Sequence, residues 1–264
     1  MPAMPSPATF ALLVLAALAA GFVDAAVGGG GLIQFPALML GLPAGTPLTT
    51  LLGTNKVVSF TGTSVAAGQF LQHRILSWRE MLVPVLMAMA GASCGVALAY
   101  YLHGRFDAYL RPAMIGLMVA MLAFTLLRPE LGSLHAPRFG LGHQRLLAAL
   151  LSLAIGFYDG FFGPGTGTLL IFLFVAVLGF DFLRASALAK SVNWASNFAS
   201  VVLFVSQGSW LPVLALGMAA GNAAGGYLGA RAAIARGSRW VRLVFILVVC
   251  ALILRLGWQV ATSH

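Results

Sequence analysis

The stretch Gly21-Phe22-Val23-Asp24-Ala25-Ala26-Val27-Gly28-Gly29-Gly30-Gly31, running on to Pro36, sets a carboxylate and four consecutive glycines inside a long apolar region. Each is costly there: a charge resists hydrocarbon, and a glycine run breaks a helix and frees backbone polar groups. A related stretch returns halfway along the chain as Gly156-Phe157-Tyr158-Asp159-Gly160-Phe161-Phe162-Gly163-Pro164-Gly165-Thr166-Gly167. Two such segments in corresponding places point to a duplicated unit with a function built at its breaks.

The surroundings decide the class of fold. Hydrophobic residues make up 60% of the chain and charged residues 8%, and mean hydropathy is +0.96. A soluble domain is nearer a quarter charged, so the chain reads as an all-α polytopic membrane protein. Its apolar runs are about 20 residues long, enough to cross the hydrocarbon as helices, and they lack the short alternation of a membrane β-barrel. The first run, followed by small residues, imitates a signal peptide. It has no basic n-region and its pattern recurs internally, so it is expected to stay as the first helix. The net charge of +9 comes from arginines in short loops, with no soluble region left to carry a nucleic-acid surface. Cys94 and Cys250 lie in apolar runs and read as small buried hydrophobes.

Breaks in hydropathy give ten segments. Residues 1–127 hold Thr9–Val27, a short Leu32–Leu42, Leu48–Phe70, Met81–Leu102 and Tyr109–Leu127. Residues 146–264 hold Leu146–Phe162, a short Thr168–Phe180, Ala185–Val205, Leu211–Ala233 and Val241–Val260. A polar, Pro/Gly-bearing stretch, residues 128–145, reads as the connecting loop. The halves match in order: Asp24 with Asp159, Lys56 with Lys190, Gly91-x-x-x-Gly95 with Gly221-x-x-x-Gly225, and Arg111 with Arg242. Such internal symmetry is the mark of many secondary transporters.

Positive charge sets the topology. If the short segments do not cross, the loop arginines divide five against seven and give no orientation. If every segment crosses, Arg74, Arg79, Arg128, Arg138, Arg145, Arg184, Arg231, Arg236, Arg239 and Arg242 share one face. Arg105 and Arg111 alone then lie on the other. The second arrangement is expected: both termini outside, and two inverted repeats of about five segments each, with eight long helices and two short broken ones. The segment Leu32–Leu42 is only about 16 Å long as a helix and carries Pro36 and Pro43. It can cross only with irregular backbone that lines a cavity rather than facing lipid.

The candidate chemistry is concentrated. Among the acids only Asp24 and Asp159 fall within spans, and Lys56 and Lys190 are the only lysines in the chain. One reading makes Asp24–Lys56 and Asp159–Lys190 neutralising salt bridges that hold each half together. The other makes the lysines attract an anion while the aspartates orient them or carry protons. The glycines support the second: a half-helix starting after Gly28, Gly29, Gly30 and Gly31, or after Gly163 and Gly165, aims its positive end at the break. Asn55, Asn193 and Asn197 lie near the lysines as neutral donors or interhelical hydrogen bonds, with Gln34 and Gln69 weaker candidates. The five histidines sit in loops or at the terminus, which leaves no imidazole cluster for a metal. No cofactor is expected.

Asp24 with Gly28–Gly31 and Pro36, Gly53-Thr54-Asn55-Lys56, the degenerate second copy and the late Gly225-Gly226-Tyr227-Leu228-Gly229-Ala230-Arg231 together resemble the TauE/SafE sulfite exporter family of bacterial membrane transporters. The resemblance covers nearly the whole chain. It implies secondary transport of small sulfur-containing anions, such as sulfite or organosulfonates, across the bacterial inner membrane, with the glycine runs and Lys56/Lys190 around the substrate path. Pro164 and Thr166 depart from a clean glycine run in the second copy.

The chain lacks G-x-x-x-x-G-K-[ST], which argues against ATP drive and leaves a coupling ion, a proton being the first candidate. A cation carrier using Asp24 and Asp159 is the alternative within transport. A membrane enzyme would need a base, and no spanning histidine supplies one. A non-transporting subunit of a membrane complex, or a homo-oligomer, is also compatible with the sequence.

Overall fold

The computed structural model describes residues 5–102 except 44 and 74, residues 140–236, and the single positions 116, 250 and 254. The expected spans Tyr109–Leu127 and Val241–Val260, and most of the loop between the halves, lie outside the described residues. Every element described is an α-helix: α1 (Pro7–Val27), α2 (Gly31–Gly41), α3 (Leu48–Gln72), α4 (Trp78–Tyr101), α5 (Leu141–Phe161), α6 (Thr166–Ala176), α7 (Phe182–Ser206) and α8 (Pro212–Arg236).

Local chemistry sets the ends. Ser6 Oγ accepts from the Thr9 N–H (3.2 Å) just ahead of Pro7, a residue pre-shaped for the first helical position. The Ser77 N–H donates to Glu80 Oε2 (2.9 Å) at the start of α4, and Asp181 Oδ1 accepts from the Arg184 N–H (2.9 Å) at the start of α7. Two expectations need correction. Pro36 does not interrupt the short segment: it sits in the middle of α2, and the helix runs on through it to Gly41. The connecting stretch ends sooner than residue 145, since α5 already begins at Leu141.

The short helices are the centre of the molecule. Phe35 and Leu38 of α2 are fully buried in a cluster with Leu52, Val58, Phe204 and Met218. Leu170 and Phe174 of α6 are fully buried in a second cluster with Leu178, Leu188 and Val192. Irregular backbone next to these helices is therefore wrapped in protein, as hydrocarbon requires. The long helices carry the apolar exposure: Leu12, Leu15, Leu86, Leu150, Leu216 and Leu228 are all at least half exposed, which is how a lipid-facing surface looks. Among the described residues, α1 over Pro7–Ala26 and α4 are long and apolar enough to cross a membrane by length and composition.

The most extensive packing runs between the halves, α1 against α8 and α4 against α5, with α3 and α7 crossing between them. Small residues permit both contacts. A Cβ on Gly91 or Gly95 would run into the Leu153 or Phe157 carbonyl of α5, and one on Gly225 or Gly229 into the Leu18 or Phe22 carbonyl of α1. This corrects the pairing of Gly91/Gly95 with Gly221/Gly225 by one helical turn. The glycines in equivalent surroundings are Gly91 with Gly225 and Gly95 with Gly229, each 134 positions apart, as Lys56 and Lys190 are. Periodicity alone could not choose, because Gly221, Gly225 and Gly229 lie on one helical face and offer two registers.

Candidate functional site

The site forms where the two breaks meet. Gly28 ends α1 in the left-handed conformation (φ +83°), and its N–H donates to the Asp24 carbonyl. The Gly29 carbonyl accepts from the Leu32 N–H (3.1 Å) and so begins α2, which Gly30 precedes. In the other half Gly163 (φ +93°) and Gly165 (φ +83°) make the turn into α6. The Thr168 N–H donates to the Gly28 carbonyl (3.1 Å), and a Cβ on Gly28 would strike the backbone at Gly167. Glycine is required here for conformation and for close approach together.

Around this junction the charges pair crosswise. Lys56 Nζ lies 2.7 Å from Asp159 Oδ2, and Lys190 Nζ lies 3.2 Å from Asp24 Oδ2. The expected alternative, bridges within each half, is therefore wrong: each lysine neutralises the aspartate of the other half. The reason is topological. Helices α3 and α7, which carry the lysines, cross between the halves, and each reaches the opposite break. Lys190 also donates to the Asp24 main-chain carbonyl, so its ammonium meets the negative end of α1.

The two pairs differ in how firmly they are held. Asp159 accepts from Thr166 Oγ1 (2.6 Å) and Ser196 Oγ (2.7 Å) besides Lys56, and its side chain is 3% exposed. Asp24 has the Gly30 N–H at 3.4 Å and the longer lysine contact, and its side chain is 15% exposed. Asp159 is the locked carboxylate and Asp24 the looser one.

A small polar cavity of about 20 Å³, the room of a single water molecule, lies between the pairs. Its walls include the expected Asp24, Gly28, Gly31, Asn55, Lys56, Asp159, Gly163, Gly165 and Asn193. Gly29 and Gly30 shape the turn beside it. Lys190 is fully buried against Asp24 and is not part of the wall. Ser59, Thr166, Gly167 and Asn197 complete the lining. Ser59 and Asn197 follow Asn55 and Asn193 by one helical turn, a spacing that marks them as sharing a face. Ser196 and Asn222 were not singled out from the sequence, and Thr166 only as a departure from the glycine run, since a lone hydroxyl or amide carries no signal of its partner.

A helical bundle of apolar exterior, with two broken helices and two buried ion pairs around a polar interior cavity, is the architecture of a membrane transporter. The chain belongs to the sulfite exporter TauE/SafE family, whose profile matches residues 13–256. It is 34% identical over 250 residues to a probable membrane transporter protein, ORF9, of Sinorhizobium sp, covering 93% of this chain and 91% of that one. It is 33% identical over 244 residues to a probable membrane transporter protein of Haemophilus influenzae, covering 90% of each. Against the probable membrane transporter protein YfcA of Escherichia coli K12 it is 31% identical over 245 residues, covering 93% of this chain and 88% of that one. No solved structure matches it.

Proposed function

We propose that the chain is a secondary transporter of a small anion, sulfite or an organosulfonate, working by alternating access between two inverted repeats in the bacterial inner membrane. The observation that carries this reading is the crosswise pairing: both ammonium–carboxylate contacts run between the halves, where movement of one half against the other strains both. An anion entering the cavity competes with Asp159 for Lys56, while Lys190 stands behind Asp24. Bringing in a negative charge alone is costly in a medium of low dielectric. A proton arriving on Asp24, the more loosely held carboxylate of the cavity wall, cancels that charge and leaves the Lys190 charge to favour the anion. Proton-coupled anion movement follows.

The alternative of a cation carrier needs Asp24 and Asp159 as ligands, and both already face lysines. A cation would have to displace an ammonium and leave it buried and unpaired. The reading as a transporter rather than an enzyme rests on the family and on the names of the relatives.

The experiment is flux of sulfite and of a short alkyl sulfonate into proteoliposomes under an imposed pH gradient. Lys56→Ala and Lys190→Ala each abolish flux, and collapsing the gradient slows it. Unchanged flux in both variants would remove the lysines from the substrate path, and metal-stimulated cation flux would replace the anion reading.

A further inference from the structure

Three asparagines line the cavity, and one buried chain of hydrogen bonds fixes which way the Asn55 amide is turned. Gln34, on α2 and 1% exposed, donates from Nε2 to Asn55 Oδ1 (2.8 Å), to the Asn55 main-chain carbonyl (3.1 Å) and to Ser59 Oγ (3.3 Å). Gln34 Oε1 accepts from Asn222 Nδ2 on α8 (2.8 Å), and the same Nδ2 donates to the Ala17 carbonyl on α1 (3.0 Å). A main-chain carbonyl only accepts. The Ala17 carbonyl therefore fixes which end of Asn222 points inward, and the Asn55 carbonyl fixes which end of Gln34 is the donor. With Gln34 Nε2 on Asn55 Oδ1, the free end of the Asn55 amide is its NH2.

On α7, Asn197 and Asn193 share one amide–amide hydrogen bond (3.3 Å), and among the described residues no main-chain carbonyl fixes which way that pair is turned. Asn55 lines the cavity, and its NH2 is the end of the amide that Gln34 leaves unengaged there.

We propose that Gln34 and Asn222 are positioning residues that set the polarity of one wall of the cavity, so that it presents the Asn55 amide donor to an oxygen of a bound oxyanion. The inference rests on the anion reading above and adds to it residues that do not line the cavity. The relay serves one half only: in register with Gln34 the second short helix holds Leu169, and 134 residues before Asn222 stands Ala88, neither of which has an amide. Without Gln34, the Asn55 amide is free to turn over and offer its carbonyl oxygen, which repels an oxyanion.

A double-mutant cycle on sulfite binding tests this, using purified full-length chain and titration calorimetry. A hydrogen bond to a charged group is worth enough that Gln34→Leu is expected to weaken sulfite binding about tenfold or more. In an Asn55→Ala background the same substitution changes binding less than about twofold, because it acts through Asn55. Asn222→Ala, one step further out, gives a smaller loss that also vanishes in that background, and it serves as the second variant if Gln34→Leu does not fold. Losses that simply add would overturn the relay while leaving the anion reading intact. No binding of sulfite or sulfonate by the wild-type chain would remove the anion reading, and the relay with it.

Discussion

The crosswise pairs make a prediction that no within-half pairing shares. Lys56 and Asp159 are both buried and lie 2.7 Å apart. At an effective dielectric constant of about 20 their attraction is about 6 kcal/mol, set against a desolvation cost of several kcal/mol for each ion. Removing one partner of such a pair exposes the cost without the gain, typically about 3–5 kcal/mol. Asp159 keeps the Thr166 and Ser196 hydroxyls, so Lys56→Met is expected near the lower end, about 3 kcal/mol. Adding Asp159→Asn removes the stranded charge; its oxygen accepts from one hydroxyl and its NH2 donates to the other, which keeps its own main-chain carbonyl acceptor, and more than half of the loss should return. Adding Asp24→Asn instead strands Lys190 as well, and the two losses should accumulate. Unfolding of the detergent-solubilised variants by heat and by denaturant measures all three. Recovery with Asp24→Asn, and further loss with Asp159→Asn, would refute the crossed topology and restore bridges within each half.

Other substitutions probe the remaining contacts by the same stability assay. Gly95→Val and Gly229→Val should each cost about 1–3 kcal/mol, because the added side chain meets a main-chain carbonyl of the neighbouring helix. Gly68→Ala, with nothing within 4 Å of the new Cβ, should instead raise stability by up to about 1 kcal/mol through helix propensity. Gly28→Ala should cost at least about 1–2 kcal/mol for its left-handed backbone alone, and the clash at Gly167 should also eliminate flux in proteoliposomes. Glu80 pairs with Arg184 across the halves with both side chains about a third exposed. Glu80→Gln is therefore expected to cost under about 1 kcal/mol, with an effect that shrinks as salt is added.

Much of this was legible before any coordinates. Hydropathy alone separates the helices, because hydrocarbon leaves a backbone few ways to satisfy its polar groups, and apolar runs of sufficient length must become helices. The costly residues announce themselves by being costly: Asp24, Asp159, Lys56 and glycines of both runs stand out against an apolar background and do line one cavity, with Lys190 behind Asp24. The TauE/SafE resemblance drawn from those residues agrees with the family match.

Partner choice was not legible. Asp24 lies nearer to Lys56 in the chain than to Lys190, yet it meets Lys190, because α3 and α7 cross between the halves and carry each lysine to the opposite break. The same holds for Gln34, only a weak candidate in the sequence, whose neighbours Asn55 and Asn222 come from two other helices. Composition and periodicity act locally, so the sequence by itself determined the membrane class, the helices and the residues that resist burial. Which of those residues neutralise one another, and which end of the Asn55 amide faces the cavity, depends on helix crossings and main-chain carbonyls that exist only in the folded bundle.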